Sequence, residues 1–292
     1  MSGRSWLFVP GDSERKLAKA GESGADALIL DLEDSVSPQR RAEARHRVAA
    51  HLRAHHGRAA PQLWVRVNAL SSGELLEDLV AVLPAAPQGI VLPKLASATE
   101  LLEVHHYLSA LERREGLPSG ATHVVAIVTE TPQALLQLSG YAPGMPRVAG
   151  LTWGAEDLAA ALGARAKREA DGTWTAPFEL ARSLCLIAAG AARVQAIDGV
   201  YADFADHEGL ARELEHARRD GFSGKLAIHP GQIAAINAAF TPTEAEIAQA
   251  RRIVAAFAAE PGVGVTSIDG RMIDRPHLLA AQRLLELASR LR

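Results

Sequence analysis

Along the chain, short apolar runs alternate with longer stretches in which apolar positions recur every three or four residues. The short runs fall at 6–9, 27–30, 63–67, 89–92, 124–128, 148–152, 196–201 and 225–228, and the intervals hold amphipathic stretches such as 38–53 and 101–113. Eight strand-like runs, each followed by a crossover, predict an α/β fold, a (β/α)8 TIM barrel. Each run also ends in reactive groups: Pro10-Gly11, then Asp31, Glu33 and Asp34, then Arg66 and Asn68, Pro93-Lys94, Glu130, Glu156-Asp157, Asp203 and His229-Pro230. In a barrel these strand exits form one face and one pocket. A doubly wound open sheet is the rival, but its crevice lies at a strand-order switch and does not require every exit to be armed.

After residue 240 the rhythm changes. The order Thr241-Pro242-Thr243-Glu244 offers an N-cap, a proline at the first helical position and a glutamate three residues beyond the cap, so a helix is expected to start there. Ile247, Ala250, Val254 and Phe257 then make one apolar stripe. Residues 261–277 are glycine-rich and read as turns, and a last amphipathic helix is expected over 279–291. The predicted organisation is a catalytic barrel over 1–240 and a C-terminal helical lid or arm over 241–292.

Composition narrows the function. With 48% hydrophobic, 22% charged and 4% aromatic residues, the 292-residue chain can bury one large aliphatic core, and 15 Pro with 24 Gly divide it into many short elements. A formal charge of −3 without a long basic run favours neither a nucleic-acid groove nor an anionic membrane, so a small-molecule partner is expected. No charge-free stretch reaches eighteen apolar residues, and the expected location is cytoplasmic. The single cysteine, Cys185, sits in an apolar helical context and reads as core filler rather than a nucleophile.

Glu130 and Asp157 each stand where an apolar run breaks into a loop. On neighbouring parallel strands both would emerge at the same end, where hard oxygen ligands share one divalent cation; the bland alternative is that each caps a following helix. Lys94 at its own strand exit suits a Schiff base, yet the carboxylate pair argues for the metal route. His51 and His55 have metal-compatible spacing but no third ligand, and His229 either lines the pocket or closes the last turn.

The ordered motifs Leu7-Phe-Val-Pro-Gly11, Asp31-Leu-Glu-Asp-Ser-Val36, Arg66-Val-Asn68, Val91-Leu-Pro-Lys94, Glu130-Thr-Pro132, Gly154-Ala-Glu-Asp-Leu158, Lys225-Leu-Ala-Ile-His-Pro230 and Gly270-Arg-Met-Ile-Asp-Arg-Pro276 resemble the citrate lyase β-subunit family. That family includes malyl-CoA and citramalyl-CoA lyases, and the resemblance runs nearly end to end. It implies an Mg²⁺-dependent barrel, a homotrimer or hexamer, that makes or breaks a carbon–carbon bond between an acyl-CoA enolate and an α-oxo acid. By this resemblance Glu130 and Asp157 hold the metal, and Asp34 orders its waters. Arg66 meets the enolate oxygen, the Gly154, Ala155 and Glu156 turn seats the oxo-acid carboxylate, and Phe8 and Lys19 face CoA. Asp274 reaches a neighbouring subunit's pocket as general acid or base.

Overall fold

The computed structural model describes residues 3–57, 60–259 and 262–291. Eight parallel strands, β1 (Ser5–Pro10), β2 (Ala27–Asp31), β3 (Gln62–Arg66), β4 (Gly89–Leu92), β5 (His123–Ile127), β6 (Val148–Thr152), β7 (Gln195–Asp198) and β8 (Gly224–Ala227), close into a barrel in sequence order. Closure, with β1 paired to both β2 and β8, excludes the open sheet. The crossovers carry α1 (Glu14–Ala20), α2 (Arg41–Ala54), α3 (Leu75–Val82), α4 (Ala98–Glu115), α5 (Pro132–Leu136), α6 (Glu156–Leu162), α7 (Ala176–Ala192) and α8 (His207–Asp220), and α9 (Ile233–Phe240) follows β8.

The strands are buried on both faces, as a parallel sheet covered by helices requires. Trp6, Ile29, Trp64, Val91, Val125, Ile127, Ile197 and Leu226 fill the interior, with the two tryptophan rings 5.0 Å apart. Cys185 is fully buried on α7, and burial pushes its thiol upward, out of reach of nucleophilic use. Between β7, β8, α7 and α8 lies a charge network. The wholly buried Lys225 ammonium donates to Asp198 at 2.8 Å and Glu213 at 2.7 Å, Arg182 bridges Asp198 and Asp220, and Arg168 binds Glu213.

The chain divides into two compact units, Met1–Asn237 and Ala238–Arg292. In the second, α10 (Glu244–Ala259) and α11 (Arg275–Arg290) flank a β-hairpin of β9 (Val265–Ile268) and β10 (Arg271–Asp274). Two local expectations are corrected here. The cap of α10 is Thr243, whose hydroxyl accepts from the Glu246 amide while the Glu246 carboxylate returns to the Thr243 amide, so the capping box sits two residues later than Thr241. The segment read as turns, whose Pro261 lies outside the described residues, contains paired strands. They turn at Asp269-Gly270, both with positive φ (51° and 75°), the dipeptide that a tight hairpin favours. No helix among the described residues is long and apolar enough to cross a membrane.

Candidate active site

The strand order brings the polar exits of β2 through β6 to one end of the barrel. Asp31 and Arg66 are register partners at the last positions of β2 and β3, so their side chains leave the sheet side by side. The guanidinium grips Asp31 with both prongs, Nε to Oδ1 at 2.6 Å and Nη2 to Oδ2 at 2.7 Å, and lies over the Phe8 ring at 4.7 Å. Asp31 also accepts the Glu33 and Ser35 amides, shaping the loop that follows β2. Burial alone would raise the Asp31 carboxyl; the Arg66 bonds outweigh it and hold it below the usual range.

The remaining prong of Arg66, Nη1, faces Glu33 at 3.0 Å and Asp34 at 3.4 Å. Glu33 is buried, whereas the Asp34 side chain is 54% exposed. The Glu33 carboxyl is raised, by desolvation first, against the pull of Arg66 and Lys94. Neither residue caps the turn at Pro38–Arg40, where Ser37 holds the N-cap position.

Lys94 follows β4 with a left-handed backbone (φ 54°). Its ammonium binds Glu33 and reaches Asp34 at 3.0 Å and Asp157 at 3.5 Å. Burial works against the charged ammonium, but Glu33 and Asp34 more than compensate and keep it protonated, the wrong state for a Schiff-base nucleophile. Its main-chain amide donates to Glu130 Oε2 at 2.5 Å.

Glu130 is buried, and its carboxyl is pushed up to about 8 by desolvation, with repulsion from Asp157 and Glu33 adding to the rise and the Lys94 amide opposing it. It packs on Gly154, where a Cβ would meet its Cγ at 3.1 Å. The helix α5 is capped by Thr131 and α6 by Ala155, so Glu130 and Asp157 are not cap residues. Gly154 donates its amide to Thr129 Oγ1 at 3.1 Å, Ala155 starts α6, and the Glu156 carboxylate turns outward to Lys167.

Beside the cluster opens a cavity of about 820 Å³. Phe8, Lys19, Asp34 and Arg66 line it, joined by Arg15 and Lys16 of α1. His229 also lines it, capping the turn at Pro230–Gln232 and stacking on Phe204 at 4.9 Å. Asp274 belongs to the second unit; it precedes α11, and its carboxylate pairs with His277, which holds it below the usual carboxylate range. His51 and His55 stack on each other at 4.1 Å on α2 and the residue after it, a packing arrangement.

Sequence reasoning gave Asp31 no role of its own and passed over Arg15, Lys16 and the ionic role of Lys94. The usable signal for Asp31 was positional: in parallel strands of matched length, the last residues of β2 and β3 must sit beside each other.

Five carboxylates (Asp31, Glu33, Asp34, Glu130, Asp157) therefore meet two cations, Arg66 and Lys94. Among the described residues no group of three or more His, Cys, Asp or Glu side chains is arranged to hold an ion. An ion here would take two protein oxygens: Glu130, once it gives up its proton, and Asp157 are hard carboxylate donors of the kind that fit Mg²⁺.

The HpcH/HpaI aldolase/citrate lyase model matches residues 4–230. Citrate lyase subunit beta of Leuconostoc mesenteroides subsp. cremoris is 35% identical over 289 residues, covering 98% of this chain and 93% of that protein. A (3S)-malyl-CoA thioesterase of Cereibacter sphaeroides is 36% identical over 288 residues, covering 98% and 94%. The crystal structure of CitE from Mycobacterium tuberculosis in complex with magnesium, acetoacetate and coenzyme A superposes with a TM-score of 0.79 at 34% identity, covering 99% of this chain and 98% of that one.

Proposed function

The chain belongs to the HpcH/HpaI aldolase/citrate lyase family, and from that premise we propose that it is an Mg²⁺-dependent carbon–carbon lyase. Its substrate would be a β-hydroxyacyl-CoA of the malyl, citramalyl or citryl type, cleaved to or formed from an acyl-CoA and an α-oxo acid. The observation that carries this reading is the excess of carboxylates around the buried Glu130, set beside Arg66 and a basic-flanked cavity.

Glu130 and Asp157 would hold the ion, which when bound supplies Lewis-acid polarisation of the oxo-acid oxygen. In cleavage a carboxylate of the cluster would take the β-hydroxyl proton as the oxo acid's carbonyl forms, the bond between the α and β carbons breaks, and the electron pair moves onto the thioester as an enolate. Arg66 would meet that charge: Asp31 fixes Nε and Nη2, and Nη1, which faces Glu33 at 3.0 Å and Asp34 at 3.4 Å, would turn to the reacting oxygen. Asp34, half in solvent beside Arg66 and Lys94, serves as the outer carboxylate. The turn at Gly154, Ala155 and Glu156 would seat the acid's carboxylate through its main chain. Phe8 with Lys19, Arg15 and Lys16 would take the apolar arm and phosphates of CoA. Asp274, held ionised by His277, would exchange the proton at the acyl-CoA α carbon from a neighbouring subunit of a homotrimer or hexamer.

Similarity to (3S)-malyl-CoA thioesterases favours a second reading, thioester hydrolysis following the bond-forming step, and similarity to citrate lyase β subunits favours carrier-protein thioesters as substrates. The purified chain is to be given malyl-, citramalyl- and citryl-CoA, with and without EDTA, while oxo acid and free CoA are measured. EDTA-sensitive oxo-acid release is expected. Free CoA without oxo acid points to hydrolysis, and turnover of carrier-protein thioesters alone points to a subunit of a larger lyase. EDTA-resistant cleavage trapped by borohydride on Lys94 would overturn the metal route.

A further inference from the structure

Lys94 touches the carboxylate cluster with both ends. Its main-chain amide donates to Glu130 at 2.5 Å, and its ammonium lies among Glu33, Asp34 at 3.0 Å and Asp157 at 3.5 Å. The residue accepts a left-handed backbone (φ 54°), a conformation that costs an L-residue free energy and that here places the amide on one carboxylate while the side chain reaches the others. Among the described residues the Lys94 ammonium is thus the cation that spans from the β2 loop to the first turn of α6, while Arg66 is committed to Asp31 and the acids of the β2 loop. A resting site with so many acids needs a charge in its midst, and a flexible lysine stem can give way where a guanidinium held by a two-pronged pair cannot.

We propose that Lys94 is the built-in place-holder for the metal: its ammonium neutralises Asp157 and the β2 acids while the ion is absent, and releases Asp157 when a divalent cation arrives. This inference rests on the reading of Glu130 and Asp157 as the ion's ligands. The main-chain bond to Glu130 is independent of the side chain, so replacing the side chain removes the competing charge and leaves that anchor in place. Lys94 is in this account a positioning residue that sets metal affinity, and it forms no covalent bond to substrate.

The test uses the full chain and Mn²⁺, whose free fraction is read by electron paramagnetic resonance. Lys94→Met is expected to bind Mn²⁺ about tenfold more tightly than the parent, the size expected for removing one nearby like charge in a partly exposed site. Lys94→Arg, which keeps the charge, is expected to stay within about twofold of the parent. Affinity unchanged or weakened in Lys94→Met overturns the inference while leaving the metal site standing. A parent chain that binds no Mn²⁺ overturns both. Should Lys94→Met fail to fold, the unaltered protein still decides the matter. Acetylation of Lys94, followed by peptide mass spectrometry, is expected to rise severalfold when Mg²⁺ replaces EDTA, and labelling indifferent to the metal sinks the idea.

Discussion

The barrel carries two lysine-centred charge clusters, and they are built to opposite ends. Around Lys225, three cations (Lys225, Arg168, Arg182) meet three carboxylates (Asp198, Glu213, Asp220), and Asp198 and Lys225 are wholly buried. Burial would raise the Asp198 carboxyl, yet Lys225 and Arg182 hold it low: the network is closed upon itself. Around Lys94 the acids outnumber the cations, the lysine is partly exposed, and Glu130 is left with a carboxyl raised to about 8. A cluster whose cations and carboxylates match one for one has no excess charge of either sign to offer an ion. The unsatisfied one holds negative charge in reserve, which is what a cation-dependent site requires.

The contrast can be broken deliberately. Lys225→Met takes the shared ammonium from two buried carboxylates, Asp198 and Glu213, and is expected to cost about 3–5 kcal/mol of stability in urea unfolding, whereas Lys94→Met should cost under about 1 kcal/mol; equal losses would erase the distinction. Glu130→Gln is expected to lower kcat/KM about 10³-fold while leaving the folded state at least as stable, because the amide needs no ionisation. Arg66→Lys keeps the charge but loses the fork, and a loss of about 10²-fold in kcat is expected, since a lysine cannot hold Asp31 and present a donor together.

The pH dependence of the metal-free protein sharpens the contrast further. Only the folded chain keeps the Glu130 proton between the ordinary 4.5 and about 8. Stability should therefore fall as pH rises through that window, by up to about 5 kcal/mol, and level off above it. Saturating Mg²⁺ or Glu130→Gln should flatten the fall, with urea midpoints in EDTA as the measure. Smallest is Trp153→Phe, which removes the 2.7 Å indole bond to Asp198 and should cost about 1 kcal/mol without changing metal affinity.

The barrel itself was legible because apolar runs of strand length recur with polar exits, and 89–92 and 148–152 coincide with β4 and β6. What escaped was local or lateral. The hairpin at 265–274 was lost among glycines although Asp269-Gly270 is itself a hairpin signal. The α10 cap slipped by two residues because the sequence repeats a threonine three positions before a glutamate, and the reciprocal bonds, from the Glu246 amide to its hydroxyl and from its own amide to the Glu246 carboxylate, mark Thr243. At the mouth, Arg66 and Asp34 stood out in the linear sequence, but the grip of Asp31 depends on strand register, and the ionic place of Lys94 depends on three loops meeting. Such information lives between segments rather than within them.

The pairing of Asp31 with Arg66 at matched strand ends has an evolutionary corollary. Side chains along a strand alternate sides, so inserting or deleting one residue within β3 would swing the guanidinium out toward the helical jacket and abolish its anchor in a single step. Insertions in the connecting loops carry no such penalty. Changes in loop length can therefore reshape the mouth without disturbing the pair, whereas the measure of the strands cannot change without losing it.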